Sequence, residues 1–153
     1  MAQQSTEQRW NTVDALVARW RLSRQDLLVQ YCQASDALDG DDISSHAKTC
    51  LRDFCQLLVD YASAGHFEVY HQLLLEAETY QDGGAETAKV LLPQIVASTE
   101  AATEFNDKYA TGDGETGTLI KNLSKLGEIL ETRFELEDQL IDVLHEAHRV
   151  PTA

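Results

Sequence analysis

Between Leu119 and Leu144 the apolar side chains return every three or four residues. Leu119, Leu123, Leu126, Leu130, Phe134, Ile141 and Leu144 keep that spacing, with Glu137 occupying one position of the same stripe. Such a near-heptad pattern lines one side of a helix, whereas a half-buried strand would alternate at every second residue. The run predicts a helix of about 30 residues, about 45 Å long at 1.5 Å per residue. A helix with one apolar stripe is stabilised chiefly by packing, so the chain must supply other helices for it to lie against.

The remaining sequence supplies them. Trp10, Val13, Leu16, Val17, Trp20, Leu27, Leu28 and Tyr31 repeat at helical steps and predict a long first helix. The stretch "SDALDGDDISS" breaks it, and Ser44 or Ser45 can cap the next helix. There Leu51, Phe54, Cys55, Leu58, Tyr61 and Ala62 share one face. Gly65 is expected to end that helix with a positive φ. A third helix is expected to turn Phe67, Tyr70, Leu73, Leu74 and Ala77 inward before "YQDGG" stops it. A fourth element from Ala85 to about Tyr109 contains Pro93, expected to kink it or to start a fresh helix. "TGDGETG" reads as a loop. His145, His148 and Arg149 at the end of the last helix suit its negative pole. The expected fold is an all-α antiparallel bundle of about four to five long helices, a single domain over residues 1–153.

Composition narrows the function. Twelve basic against twenty-six acidic residues leave a net charge of −14, which repels nucleic-acid and membrane phosphate. The charge is uneven: residues 1–35 carry four arginines and three acids, net +1, and residues 36–153 carry eight basic and twenty-three acidic residues, net −15. A field of that sign speeds encounter with a basic protein surface, although solubility alone would also explain it. No apolar run reaches the 18 or so residues of a membrane span. The start, "MAQQSTEQRW", is polar, so a cytoplasmic location is expected. Cys32, Cys50 and Cys55 are expected to be reduced thiols.

Candidate chemistry is sparse. Glu68-Val-Tyr-His71 has the Glu-x-x-His spacing of carboxylate-bridged metal bundles, with only Asp142-Val-Leu-His145 to echo it. On a helical wheel His71 and Glu68 fall roughly 110° and 170° from the inward face, so both are expected to face water and no metal site or cofactor is expected. Cys50 and Cys55 diverge by about 140° on a helix and do not make a zinc pair. Asp60, Ser63 and His66 contain the parts of a hydrolytic triad in one short run. They lack the convergence from separate elements and the nucleophile-elbow Gly-x-Ser-x-Gly that such chemistry uses, and no catalytic residue is expected. No phosphate-binding glycine loop or dinucleotide fingerprint occurs.

The same run, "DYASAGHFEVY" from Asp60 to Tyr70, reads in two ways. It is a helix-to-helix joint in which Gly65 and a nearby Ser63 or His66 satisfy loose backbone groups, or it is a surface made for contact. Asp60 lies roughly 180° from the buried face of its helix, with Ser63 beside it one turn on and Phe67 and Tyr70 following. An exposed acid and hydroxyl next to aromatic residues suit a protein interface.

"DFCQLLVDYASAGHFEVY", residues 53–70, closely resembles the central signature of the Rsd/AlgQ family of bacterial anti-sigma factors. The likeness extends to "RW" at Arg19–Trp20, "LLVQY" at 27–31, "RFELEDQLI" at 133–141 and "LHEAHR" at 144–149, in the family's order. The tail and Phe105-Asn-Asp-Lys are similar to the AlgQ side, which is associated with pseudomonad-type bacteria and with alginate control. The resemblance implies a helical bundle that binds the housekeeping sigma factor of RNA polymerase one-to-one, chiefly its region 4. That region is the helix-turn-helix that reads the −35 element and docks on core polymerase. The family's contact positions fall here on Asp60, Ser63, His66 and Phe67, with Tyr70 and Trp20 beside them. Ala62 and Arg21 depart from the family pattern, where a larger aliphatic residue and a leucine are expected. Two other classes fit the same fold: an adaptor for a different regulatory protein, and a bundle enzyme with a metal or small-molecule pocket.

Overall fold

The computed structural model describes residues 6–38, 44–80, 83–110 and 116–148. Its elements are α1 (Thr6–Ala37), α2 (Ser45–Ala64), a π-helical segment (Gly65–Val69), α3 (Tyr70–Tyr80), α4 (Gly84–Tyr109), α5 (Thr116–Leu144) and a closing 3₁₀ turn (Glu146–His148). Helix α2, the π segment and α3 follow one another without a break, so the bundle consists of four rods. No helix among the described residues is long and apolar enough to cross a membrane.

Side-chain contacts give the rods' directions. Tyr31 meets Phe54 and Trp20 meets Tyr61, so α1 runs against α2. Trp10 lies on His145 while the Tyr31 hydroxyl reaches the Leu123 carbonyl, so α1 also runs against α5. Tyr109 meets Asn122 and Thr99 meets Arg133, which sets α4 against α5. Each rod thus opposes both of its neighbours, the up-down-up-down order that short connections produce.

The caps and stripes explain the elements. The Ser44 hydroxyl accepts from the Ala47 amide at 3.0 Å and caps α2. All six residues expected inward on α2 are buried. On α1 the inward line runs through Val13, Val17, Trp20, Arg24, Leu27, Tyr31 and Ala34. Leu28, expected inside, lies 100° past Leu27 and is 43% exposed. Helix α5 spans 29 residues, and its leucine stripe is buried from Leu119 to Leu144. Phe134, expected inward, is only partly buried, its ring meeting Tyr61 edge-on and lying under the Arg24 guanidinium. Helix α4 continues through Pro93 without a fresh start. Pro93 and Lys89 are both exposed, so the Lys89 carbonyl left without an amide partner can meet water. Thr116 and Gly117 of the expected "TGDGETG" loop belong to α5, and Thr111–Glu115 lie outside the described residues.

Gly65 corrects the sequence reading. Its φ and ψ are −57° and −51°, ordinary right-handed helix, and no reversal occurs there. The Tyr70 amide donates to the Gly65 carbonyl, a five-residue step that widens the helix by one residue. Glycine is needed for space: a Cβ at this position would lie 2.8 Å from Cζ2 of Trp20 and 3.2 Å from the Tyr70 hydroxyl. Gly127 on α5 likewise makes room for the Tyr31 ring.

Beside the start of α1, His145, expected only to suit the negative end of α5, is buried. Nδ1 lies 2.8 Å from Glu76 Oε2 of α3 and Nε2 lies 3.0 Å from Asp14 Oδ1 of α1, and the ring stacks on Trp10 at 4.3 Å. Burial works against a charged ring, but the hydrogen bonds and charges of Glu76 and Asp14 outweigh it and raise the imidazole above its ordinary range. His148 keeps the expected role, its Nδ1 facing the Leu144 carbonyl at 3.3 Å, while Arg149 lies outside the described residues.

Two predictions follow from these contacts. Gly65→Ala should gain about 1 kcal/mol of helix propensity yet lose about 1–3 kcal/mol to overpacking against Trp20. Urea melts should therefore show net destabilisation, and a stabilised variant would mean that the indole does not press on this backbone. For His145, a pKa raised on folding gives stability that is fully present below the unfolded value of about 6.5. It is lost as pH rises through the folded value. The parent's urea midpoint should fall with rising pH over that window, and His145→Gln should flatten the profile. Equal slopes for the two proteins would contradict the clamp.

Candidate functional site

The run from Asp60 to Tyr70 presents Asp60, Ser63 and Glu68 as a crest on the outer side of its rod. Asp60 and Ser63 are both exposed and stand one turn apart on α2. The Gln56 side-chain amide donates to both carboxylate oxygens of Asp60, at 3.2 and 3.3 Å, holding the acid along the helix face. Glu68 and His71 are exposed, as the wheel predicts. The backbone of His66 and Phe67 lies within the π segment, and their side chains lie outside the described residues.

Trp20 and Tyr70, placed at the partner surface by the resemblance, are each 3% exposed and belong to the interior. The Trp20 indole stacks on Tyr61 at 5.1 Å and meets the Tyr70 ring edge-on at 5.6 Å. It closes over Gly65 from the inside. A side chain so enclosed supports the crest from beneath and presents no face to a partner in this structure.

Beneath the crest lies a polar network that the apolar periodicity did not reveal. Glu137 of α5 is fully buried. Its Oε1 accepts from the Tyr61 hydroxyl at 2.6 Å and from Arg24 Nη2 at 3.3 Å. Its Oε2 accepts from the Tyr70 hydroxyl at 2.9 Å and from Arg133 Nε at 3.1 Å. Each tyrosine in turn accepts from one arginine: Tyr61 from Arg24 Nε at 3.2 Å and Tyr70 from Arg133 Nη2 at 3.1 Å. Arg133 also donates through Nη1 to Thr99 and Ser98 of α4, at 2.7 and 3.2 Å. Arg24 donates through Nη1 to Asp138 at 2.8 Å and lies over the Phe134 ring at 4.9 Å.

The charges follow from this geometry. Burial and the neighbouring Glu137 carboxylate raise both tyrosine hydroxyls well above their ordinary range, so they remain protonated donors. Burial disfavours the charged Arg24 and Arg133, yet Tyr61, Tyr70 and Glu137 more than offset it, and both guanidiniums stay charged. Burial alone pushes the Cys55 thiol up to about 12, which leaves it an unreactive apolar filler. The signal for the network was present in phase rather than in hydropathy. Arg24 occupies the inward line of α1 between Trp20 and Leu27, and Arg133 precedes Glu137 by one helical turn.

Asp14, His145 and Glu146 bring potential ligand atoms within 4.8 Å of one another, a grouping the sequence reading did not anticipate. Both ring nitrogens of His145 already face carboxylate oxygens, Nδ1 that of Glu76 and Nε2 that of Asp14.

Comparison with known proteins agrees with the motif. The "Regulator of sigma D" of Yersinia pseudotuberculosis serotype O:1b (strain IP 31758) is 34% identical over 148 residues, covering 90% of this chain and 84% of that protein. The "Regulator of sigma D" of Shigella dysenteriae serotype 1 (strain Sd197) is 37% identical over 139 residues, covering 88% and 87%. No solved structure matches the chain. The sequence model described as "Regulator of RNA polymerase sigma(70) subunit, Rsd/AlgQ" matches residues 1–145, and the chain belongs to that family.

Proposed function

We propose that this protein is a cytoplasmic anti-sigma factor that regulates transcription by binding the housekeeping, sigma-70-class sigma factor. The bound segment is region 4, held one-to-one by a monomer of this chain. The observation that carries the reading is the pairing of exposed Asp60 and Ser63 on a rigidly supported crest, inside the motif that resembles the family's central signature. The protein acts by occupancy and not by catalysis. A helix-turn-helix bears its basic residues where DNA phosphates would lie, so an acidic protein seated on it excludes promoter DNA.

Each proposed contact residue has a role under this reading. Asp60, already oriented by Gln56, pairs with a basic side chain or helix-end amide of the partner. Ser63 is small enough for close approach. His66 and Phe67 follow on the same segment and complete the contact. Trp20, Tyr70 and Tyr61 act from beneath by fixing the π segment that follows Asp60 and Ser63 and carries His66 and Phe67.

Purified protein and housekeeping sigma factor should elute as a one-to-one complex in size exclusion. Truncating a paired acid at an interface typically costs about 2–4 kcal/mol, roughly 30- to 1000-fold in affinity. Asp60→Ala and Ser63→Leu should therefore each weaken binding at least about tenfold, with little change in the melting midpoint, since both side chains are exposed. Glu68→Ala with His71→Ala should bind as the parent does. Raising salt from about 50 to 500 mM should slow association much more than it speeds dissociation. Parental affinity in both crest variants would place the partner surface elsewhere.

A further inference from the structure

The crest stands between two grooves of different character. On one side the rod and α4 enclose a groove of about 420 Å³, with Ala62 and Ser63 on one wall and Val96, Thr103, Glu100 and Glu104 on the other. Val96 is 36% exposed despite its apolar side chain. Glu100, Thr103 and Glu104 are exposed one and two turns further on, and no basic residue lines this groove among the described residues. On the other side, the rod and α1 enclose a groove of about 190 Å³ that includes Arg19 and Glu68. That groove borders residues 1–35, which have a net charge of +1, while the rest of the chain carries −15.

We propose that the sigma factor's contacting helix lies in the α4 groove, with Ser63 in its wall and Asp60 at its outer lip. The α1 groove stays empty. This placement rests on the crest reading above and adds its direction and a second set of contact residues. The occupant is an amphipathic helix with one apolar side chain and basic residues on its flank. Val96, Ala62 and the Thr103 methyl group receive the apolar side chain, and Glu100 and Glu104 receive cations on one side of it, with Asp60, exposed one turn before Ser63 and outside the groove lining, receiving a cation on the other. An apolar floor between acids suits such a helix, because the apolar contact gives residence and the acids give approach and orientation. The α1 groove is less than half as large, and its Arg19 offsets the charge of Glu68, so it disfavours the same occupant. Small residues matter here too: Ala62 leaves the groove floor open where a bulkier side chain would fill it.

The test uses the full-length chain and purified housekeeping sigma factor. The variants are Val96→Arg, Glu100→Lys with Glu104→Lys, Arg19→Glu and Glu68→Lys, with Asp60→Ala alongside. All the altered side chains are exposed, and thermal melts verify that each variant folds. Val96→Arg and the double lysine variant should each weaken binding at least about tenfold, and the double variant should also lose part of the salt dependence of association. Arg19→Glu and Glu68→Lys should bind within about twofold of the parent, since neither meets the partner. Loss of binding in Asp60→Ala with parental affinity in the α4 variants would overturn the groove assignment and leave the crest standing. Parental affinity in all three would overturn both. Loss from the α1-side variants as large as from the α4-side variants would overturn the one-sided placement.

Discussion

A single carboxylate organises this bundle. Glu137 lies in the C-terminal third of α5 and takes four hydrogen bonds, from Arg24 of α1, Tyr61 of α2, Tyr70 of α3 and Arg133 of α5 itself. Arg133 then reaches Ser98 and Thr99, so every rod is tied to this group directly or through one side chain. A buried charge is tolerated only when it is paired and hydrogen-bonded, and each oxygen here has an arginine and a tyrosine. Replacing such a network with apolar residues is often neutral or even stabilising. Its distinct contribution is register: a slide of any rod by one turn would leave several donors and the carboxylate unpaired at once.

Register at this level matters because the π segment sits directly above it. Tyr61 precedes the segment and Tyr70 follows it, and both hydroxyls end on the same carboxylate. The rod is therefore pinned at both ends of its widened turn, while Trp20 presses on Gly65 between them. The residues left outside, including Asp60 and Ser63, occupy a surface whose backbone is held by buried groups. Preorganisation of that kind lowers the ordering cost of binding. Under the proposed function the uneven charge has a separate role, because the long-range field of acidic residues affects encounter more than the final contact energy.

Much of the fold was legible because the rods keep a helical apolar period. The inward face of α2, the Ser44 cap and the length of α5 all followed from spacing and capping chemistry. The failures have physical reasons. Gly65 suggested a helix end because glycine usually marks a positive φ, but here the missing Cβ serves a close approach by Trp20, a residue 45 positions away in sequence. Arg24, Arg133 and Glu76 escaped the apolar-stripe reading because hydropathy cannot show that a partner waits inside. His145 looked like a helix-pole residue because Glu76 and Asp14 lie on two other rods. Tyr70 and Trp20 were drawn toward the surface by their place in the motif, whereas the exposed residues of the crest were legible from the wheel alone.

The most direct test of the central claim is an amide hydrogen-exchange footprint of the full-length protein with and without purified housekeeping sigma factor. Protection should appear in peptides covering residues 58–68 of the crest and should leave residues 119–130 in the N-terminal half of α5 unchanged. Exchange in the Glu137 region should already be slow in the free protein, since the network is formed before binding. A footprint confined to α5 or to the first two turns of α1, with the crest exchanging as in the free protein, would contradict the account.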